Sequence, residues 1–321
     1  MRISSFVIRR RRLISRQVLA AAALSSAVLT TCPGSRCAAL GESTTAPAST
    51  AGSAVTRQPI AAVRPGPLKS AEYRLAYKFR PNEDVYMPLS VDSKIHLQKG
   101  PVEQISSNQS TVERHFHVAS VEPDGSAIVD LFIDNVELSY SFNNGTPVVF
   151  NTKQKGSPPP GFQGVQNCIG PRGRVRFSAQ GTVLPLPKSS TDPSSDPSES
   201  FLDLLPARPV HVGDEWSDDF KIKVSVSRNL NQKITLRRRY MLESVNGNVA
   251  TIRLRIVEIT PVQDAQIRAQ LVQRTPEGTI TFDMNRGVTT ARELTCSRTE
   301  TGIMGGEGMI AATTHIKGSL R

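Results

Sequence analysis

His115 and His117, two positions apart in "RHFHV", come nearest to a chemical signature in this chain. On a strand, residues i and i+2 point to one face, so two such imidazoles can reach one metal ion. Zinc recruits three or more protein ligands, however, and His96, His211 and His315 stand at no fixed spacing from the pair. His115 and His117 are therefore weak metal candidates, with a pair of surface histidines as the alternative. Asp130 with Asp134, and Asp218 with Asp219, could in principle serve acid and base roles, but charges on a solvated face account for them. The stretch Gly306 to Ala311 has the GxGxxA form, but no acid follows it to hold a ribose, so it is read as a turn between the last two strands. The sequence has no GxSxG elbow, HExxH helix, P-loop or EF-hand loop. No catalytic residue and no cofactor is assigned on this basis.

The elements that would position these residues are strands. "STVERHFHVASV", "AIVDLFIDNVELSY", "KITLRRRYMLESV", "VATIRLRIVEI" and "TITFDMNRGV" are rich in β-branched and aromatic residues and mostly alternate in polarity, and "EYRLAYKF" reads the same way. Short turns at Pro123-Asp124-Gly125, Asn144-Gly145, Asn246-Gly247 and Pro276-Glu277-Gly278 separate them, too short for parallel crossovers. One helix is expected over Gln263–Arg274, with Ile267 and Leu271 on its buried face. Arg237-Arg238-Arg239 falls within a strand and reads as a solvated face.

The ends of the chain have a different character. Residues 1–39 combine a basic head with an apolar run from Val18 to Leu29, too short for a membrane span and suited to a signal peptide. Arg10-Arg11-Arg12-Leu13-Ile14 fits the twin-arginine pattern, with ordinary secretion as the alternative. Cys37-Ala38-Ala39 offers a cleavage site, and Cys32 sits in an imperfect lipoprotein box, so membrane association is expected only if Cys32 is lipidated. Seven of the 39 Lys and Arg precede Leu40 and none of the 28 Asp and Glu does, which leaves 32 bases against 28 acids. A balance that small excludes nucleic acid as the expected partner. Cys168 and Cys296 remain after cleavage, and in an oxidising compartment they either form a disulfide or stay as two buried thiols.

Residues 40–70 read as a disordered tether and 187–204 as a Ser/Pro/Asp-rich linker, dividing the rest into β repeats at 71–186 and 205–321. The repeats align in order. "RHFHVASVEPDGSAIVDLFI" matches "RRYMLESVNGNVATIRLRI", so His115 falls opposite Arg239 and His117 opposite Met241. Upstream, Glu83-Asp84 matches Asp214-Glu215; downstream, Phe177 and Gly181 match Phe282 and Gly287. Phe116 and Val118 match Tyr240 and Leu242, which marks the aromatic side as the core side and leaves the histidines on the more polar face. The expected fold is all-β and mainly antiparallel, with at most one or two short helices. Its two related β-meander halves pack as a sandwich or as paired half-barrels.

Along "EYRLAYKFRPNEDVYM", "VASVEPDGSAIV", "FSAQGTVLPL", "LPARPVHVGDEWS" and "TITFDMNRGV" the chain resembles uncharacterised secreted bacterial β-rich proteins classed only as a domain of unknown function. The likeness runs from about Glu72 onward and includes Gly213-Asp214-x-Trp216 before a strand pair. It implies an envelope address and a β fold, and it carries over no site. The chain departs from that pattern between Tyr86 and Ser110, which leaves the first hairpin's register open.

The expectation is an exported, non-enzymatic envelope protein, periplasmic or extracellular, whose partner is an apolar small molecule or another envelope protein. An apolar or lipid-like ligand on a curved sheet is suggested by Ile128, Leu131, Phe132 and Ile133, which put apolar side chains on both faces of one strand. A central strand buried on both sides explains the same residues. The alternatives are a structural or protein-interaction module and, further off, a hydrolase that would need His115, His117, Asp130 and Asp134 to converge in one concave pocket.

Overall fold

In a computed structural model the described residues are 71–186, 201–227 and 230–321. The expected leader, Cys32, the tether and linker residues 187–200 lie outside them. The chain is all-β: thirteen strands form one antiparallel sheet. The first seven are β1 (Asp84–Tyr86), β2 (Leu89–Lys99), β3 (Val102–Val121), β4 (Ala127–Phe142), β5 (Val148–Asn151), β6 (Gly170–Phe177) and β7 (Val183–Leu184). The rest are β8 (Glu215–Ser227), β9 (Leu230–Asn246), β10 (Val249–Glu258), β11 (Glu277–Asp283), β12 (Val288–Ile303) and β13 (Gly308–Ser319). Among the described residues one α-helix, α1 (Ala265–Leu271), begins at Asp264, whose carboxylate accepts from the amides of Gln266 and Ile267, and it buries Ile267 and Leu271 as the spacing predicts.

The sheet runs β7-β6-β4-β3-β2-β13-β12-β11-β10-β9-β8. The halves are therefore not separate sheets of a sandwich, because β2 pairs with β13 along eleven residues and joins them into one. Reading outward to inward on the first side and inward to outward on the second, the same order of five strands recurs on either side of β13. Val85 pairs with Phe116 as Trp216 pairs with Tyr240. The amides of Val118 and Leu242 donate to the carbonyls of Glu83 (2.9 Å) and Asp214 (3.0 Å). Asn82 and Gly213, at the matching turn position, both have left-handed backbone, with φ of 62° and 94°. The first hairpin, left open by the sequence, is regular, with Lys99 opposite Val102 and Leu89 opposite Val112.

One face of this sheet is buried along its length. Phe116, Val118 and Val129 belong to the same cluster as Tyr240, Leu242, Ile252, Ile280 and Phe282. Three strands separate those groups in the sheet, so it must bend to bring them together. The trough so formed is filled by the chain itself. Residues 73–79, read above as a strand, make a single bridge, Tyr73 with Val210, and instead cross the trough as a strap. Leu75 and Tyr77 from this strap, with Leu202, Leu205 and Val210 from a second segment, complete the core. Leu202 and Asp203 lie within the stretch read as linker, yet both are buried, so the polar tract gives way to core before Leu204. At the ends of the trough α1 covers Phe220, Ile222, Ile234 and Leu236, and Phe162, Val165 and Ile169 cover Val136 and Leu138. Each fully buried aliphatic or aromatic side chain contributes about 1.5–3 kcal/mol relative to exposure, and that burial holds segments with so few ladder bonds in place.

Candidate functional site

On the outer face the strand register brings the sequence-predicted residues into two rows. Asp84 on β1, His117 on β3, Asp130 on β4 and Arg174 on β6 are successive cross-strand neighbours, as are Tyr86, His115, Phe132 and Pro171. The two histidines do share a face, as expected, but each is committed to a different carboxylate. His117 Nδ1 lies 2.8 Å from Asp84 Oδ1, and His115 Nδ1 lies 2.7 Å from Asp134 Oδ2. The His115 ring stacks on Phe132 (centroids 4.7 Å apart, 7° between planes) and contacts Tyr86 on its other side. Asp130 receives both arms of Arg174 at 2.7 Å, and that hydrogen bonding holds its carboxyl below the ordinary value. Among the described residues no group of three or more His, Cys, Asp and Glu is arranged to hold a metal. His115, His117, Asp130 and Asp134 do not line the rim cleft, and they do not converge in the concave pocket that the hydrolase reading needs.

The second carboxylate pair is also consumed by arginines. Asp219 takes both arms of Arg237, and Asp218 pairs with Arg238. Arg238 corrects the expectation of a solvated arginine run. It shares strand parity with Tyr240 and points inward, its guanidinium 4.9 Å from the Phe220 ring centroid. Its counterpart in the repeat alignment, Arg114, is buried, donates to the Met87 carbonyl and lies 4.6 Å from the Phe201 ring centroid. The disulfide considered between Cys168 and Cys296 is not formed. Cys168 lies in a short turn beside Gly164, whereas Cys296, on β12, donates to the Val272 carbonyl behind α1. Both are buried, which is the alternative outcome weighed for them.

Two features escaped the sequence altogether. The first is a polar centre inside the core, where Arg292 pairs with Asp203, and the Tyr77 hydroxyl meets the Asp203 backbone and Thr289 Oγ1. Tyr240 Oη and Asp203 Oδ2 are buried there without a hydrogen-bond partner. The second is a cleft of about 110 Å³ at the rim of the sheet, lined by Lys78, Arg80, Arg286 and Arg321 together with Glu83 and Asp84. Its basic residues come from the strap, the β11–β12 turn and residues 320–321, and no local motif links stretches so far apart in sequence. For the inward arginines a signal existed. The period of two that assigns Phe116 and Tyr240 to the core assigns Arg114 and Arg238 to the same side.

Comparison with known proteins gives little more. No family model and no curated protein matches the chain. Among solved structures, one of lipovitellin, concerning lipid-protein interactions, overlaps 76% of this chain at 11% identity with a TM-score of 0.37. The chain spans about a quarter of lipovitellin's length, 25%. A DUF1329 family protein from Desulfovibrio piger is a weak neighbour, with a TM-score of 0.14 and 11% identity over 73% of this chain and 85% of that one. What the protein does has to be argued from its own residues.

Proposed function

We propose that this is an exported, non-enzymatic envelope protein that works as a binding module through its outer surfaces, its curved sheet serving as the scaffold. The observation that carries this reading is the filled trough. Small-molecule sites usually span about 300–1,000 Å³, and the cleft at the rim has about 110 Å³. The outer rows support it too, since their histidines and carboxylates are bound to one another. Export rests on the basic head and apolar run of residues 1–39, and recurrence of the five-strand order is read as internal duplication of units near 71–186 and 205–321.

A second reading, a carrier of an apolar or lipid-like ligand, keeps one specific support. The core face of the sheet is mainly apolar, and the strap crosses it with a single strand bridge. A long apolar ligand would have to replace the strap. Titration with a fluorescent fatty acid separates the two. The surface-binding reading expects no saturable binding, and one-to-one saturable uptake would replace it with the carrier.

A further inference from the structure

We propose that the rim cleft is a binding site for a phosphate-type oxyanion, with Lys78, Arg80, Arg286 and Arg321 supplying the positive charge. This goes beyond surface binding in general, because it names a place and a chemistry. Lys78 and Arg80 flank Phe79 at the end of the strap, and Arg286 sits in the turn from which the Gly287 carbonyl accepts from the Lys78 amide at 3.1 Å. Arg321 is brought alongside by its own amide, which donates to the Tyr86 carbonyl at 3.1 Å.

None of these four side chains makes an ion pair among the described residues, although Arg174, Arg237, Arg253, Arg268, Arg292 and Arg298 all do. Lys78 Nζ donates only to the Asn285 carbonyl. Two carboxylates share the cleft, Glu83 and Asp84, and Asp84 is already engaged by His117. Four basic residues thus line the cleft with two side-chain carboxylates, against walls that include Val85, Phe116 and Val118. An apolar wall behind an excess of positive charge focuses its field on whatever enters. Guanidinium groups match the paired oxygens of a phosphate group, and the volume admits a free anion or a lipid headgroup but not an acyl chain.

The test is calorimetric titration of the full chain with inorganic phosphate at low salt. It compares wild type, the double variant Arg80→Ser/Arg286→Ser, and a control, Lys94→Ser/Lys221→Ser, which removes the same charge from exposed strand positions. Saturable binding is expected in wild type, weakened about tenfold or more by the first variant and within about twofold in the control. No saturable heat in wild type, or equal weakening in both variants, would overturn the proposal. Flotation with phosphatidylcholine vesicles, with and without phosphatidylglycerol, identifies the source. Flotation that needs phosphatidylglycerol and Arg80/Arg286 assigns a headgroup, and phosphate binding without flotation assigns a free anion.

Discussion

Tyr77 and Tyr240 are the residues on which the buried polar centre depends. Tyr77 is 4% exposed and Tyr240 1%. Burial, the largest cause, together with the nearby Asp203 charge, raises both hydroxyls well above the ordinary tyrosine value of 10.0. A group whose folded-state value is raised stabilises fully below its unfolded value, and that stability is lost as pH climbs past it. The protein should therefore lose stability above about pH 10, with Tyr77 and Tyr240 ionising only as it unfolds. Ultraviolet titration of the five tyrosines checks this. Tyr77→Phe should shrink the late-ionising fraction, and smooth titration of all five in the folded protein would contradict the assignment. At this scale the sequence was legible where strand parity sufficed. His115 and His117 fell on the polar face because Phe116 and Val118 claimed the other. The Arg292–Asp203 pair was not legible, because it joins a strand to a segment 89 residues away.

Two glycine turns hold the strap, and each is sensitive to a single change. The Tyr77 amide donates to the Ala179 carbonyl at 2.7 Å, and the Lys78 amide to that of Gly287, so one turn from each half grips the same segment. Gly181 and Gly287 have φ of 80° and 67°. A Cβ on Gly181 would come within 2.4 Å of the Asp203 carbonyl oxygen, and one on Gly287 within 2.5 Å of the Lys78 nitrogen. Gly181→Ala and Gly287→Ala should each cost about 1–3 kcal/mol or more, from left-handed strain and the loss of close approach. Urea unfolding followed by Trp216 fluorescence suits the measurement, since its indole stacks on Tyr240 and donates to the Leu204 carbonyl at 2.9 Å. Unchanged midpoints would mean that the strap is not fixed by these turns. Strands and hairpins were readable because alternation and turn chemistry are local. The strap was misread because "EYRLAYKF" has a strand's composition, and only the rest of the fold decides whether a neighbour is there to pair with it.

For the whole molecule, the decisive contact is the pairing of β2 with β13, near the beginning and end of the described chain. The sequence suggested two related meanders but left open whether they share a core, because nothing local specifies a pairing across more than two hundred positions. Once that pairing forms, the sheet bends and its apolar trough has to be covered. The strap and the 201–210 segment cover it from within. That closure is the central claim, and native mass spectrometry of the protein purified from its native source without detergent exchange, repeated after denaturation, tests it most directly. A bare polypeptide in the native spectrum is the predicted result. A lipid-sized apolar adduct that leaves on denaturation would show that the trough accepts a ligand, and would contradict the account.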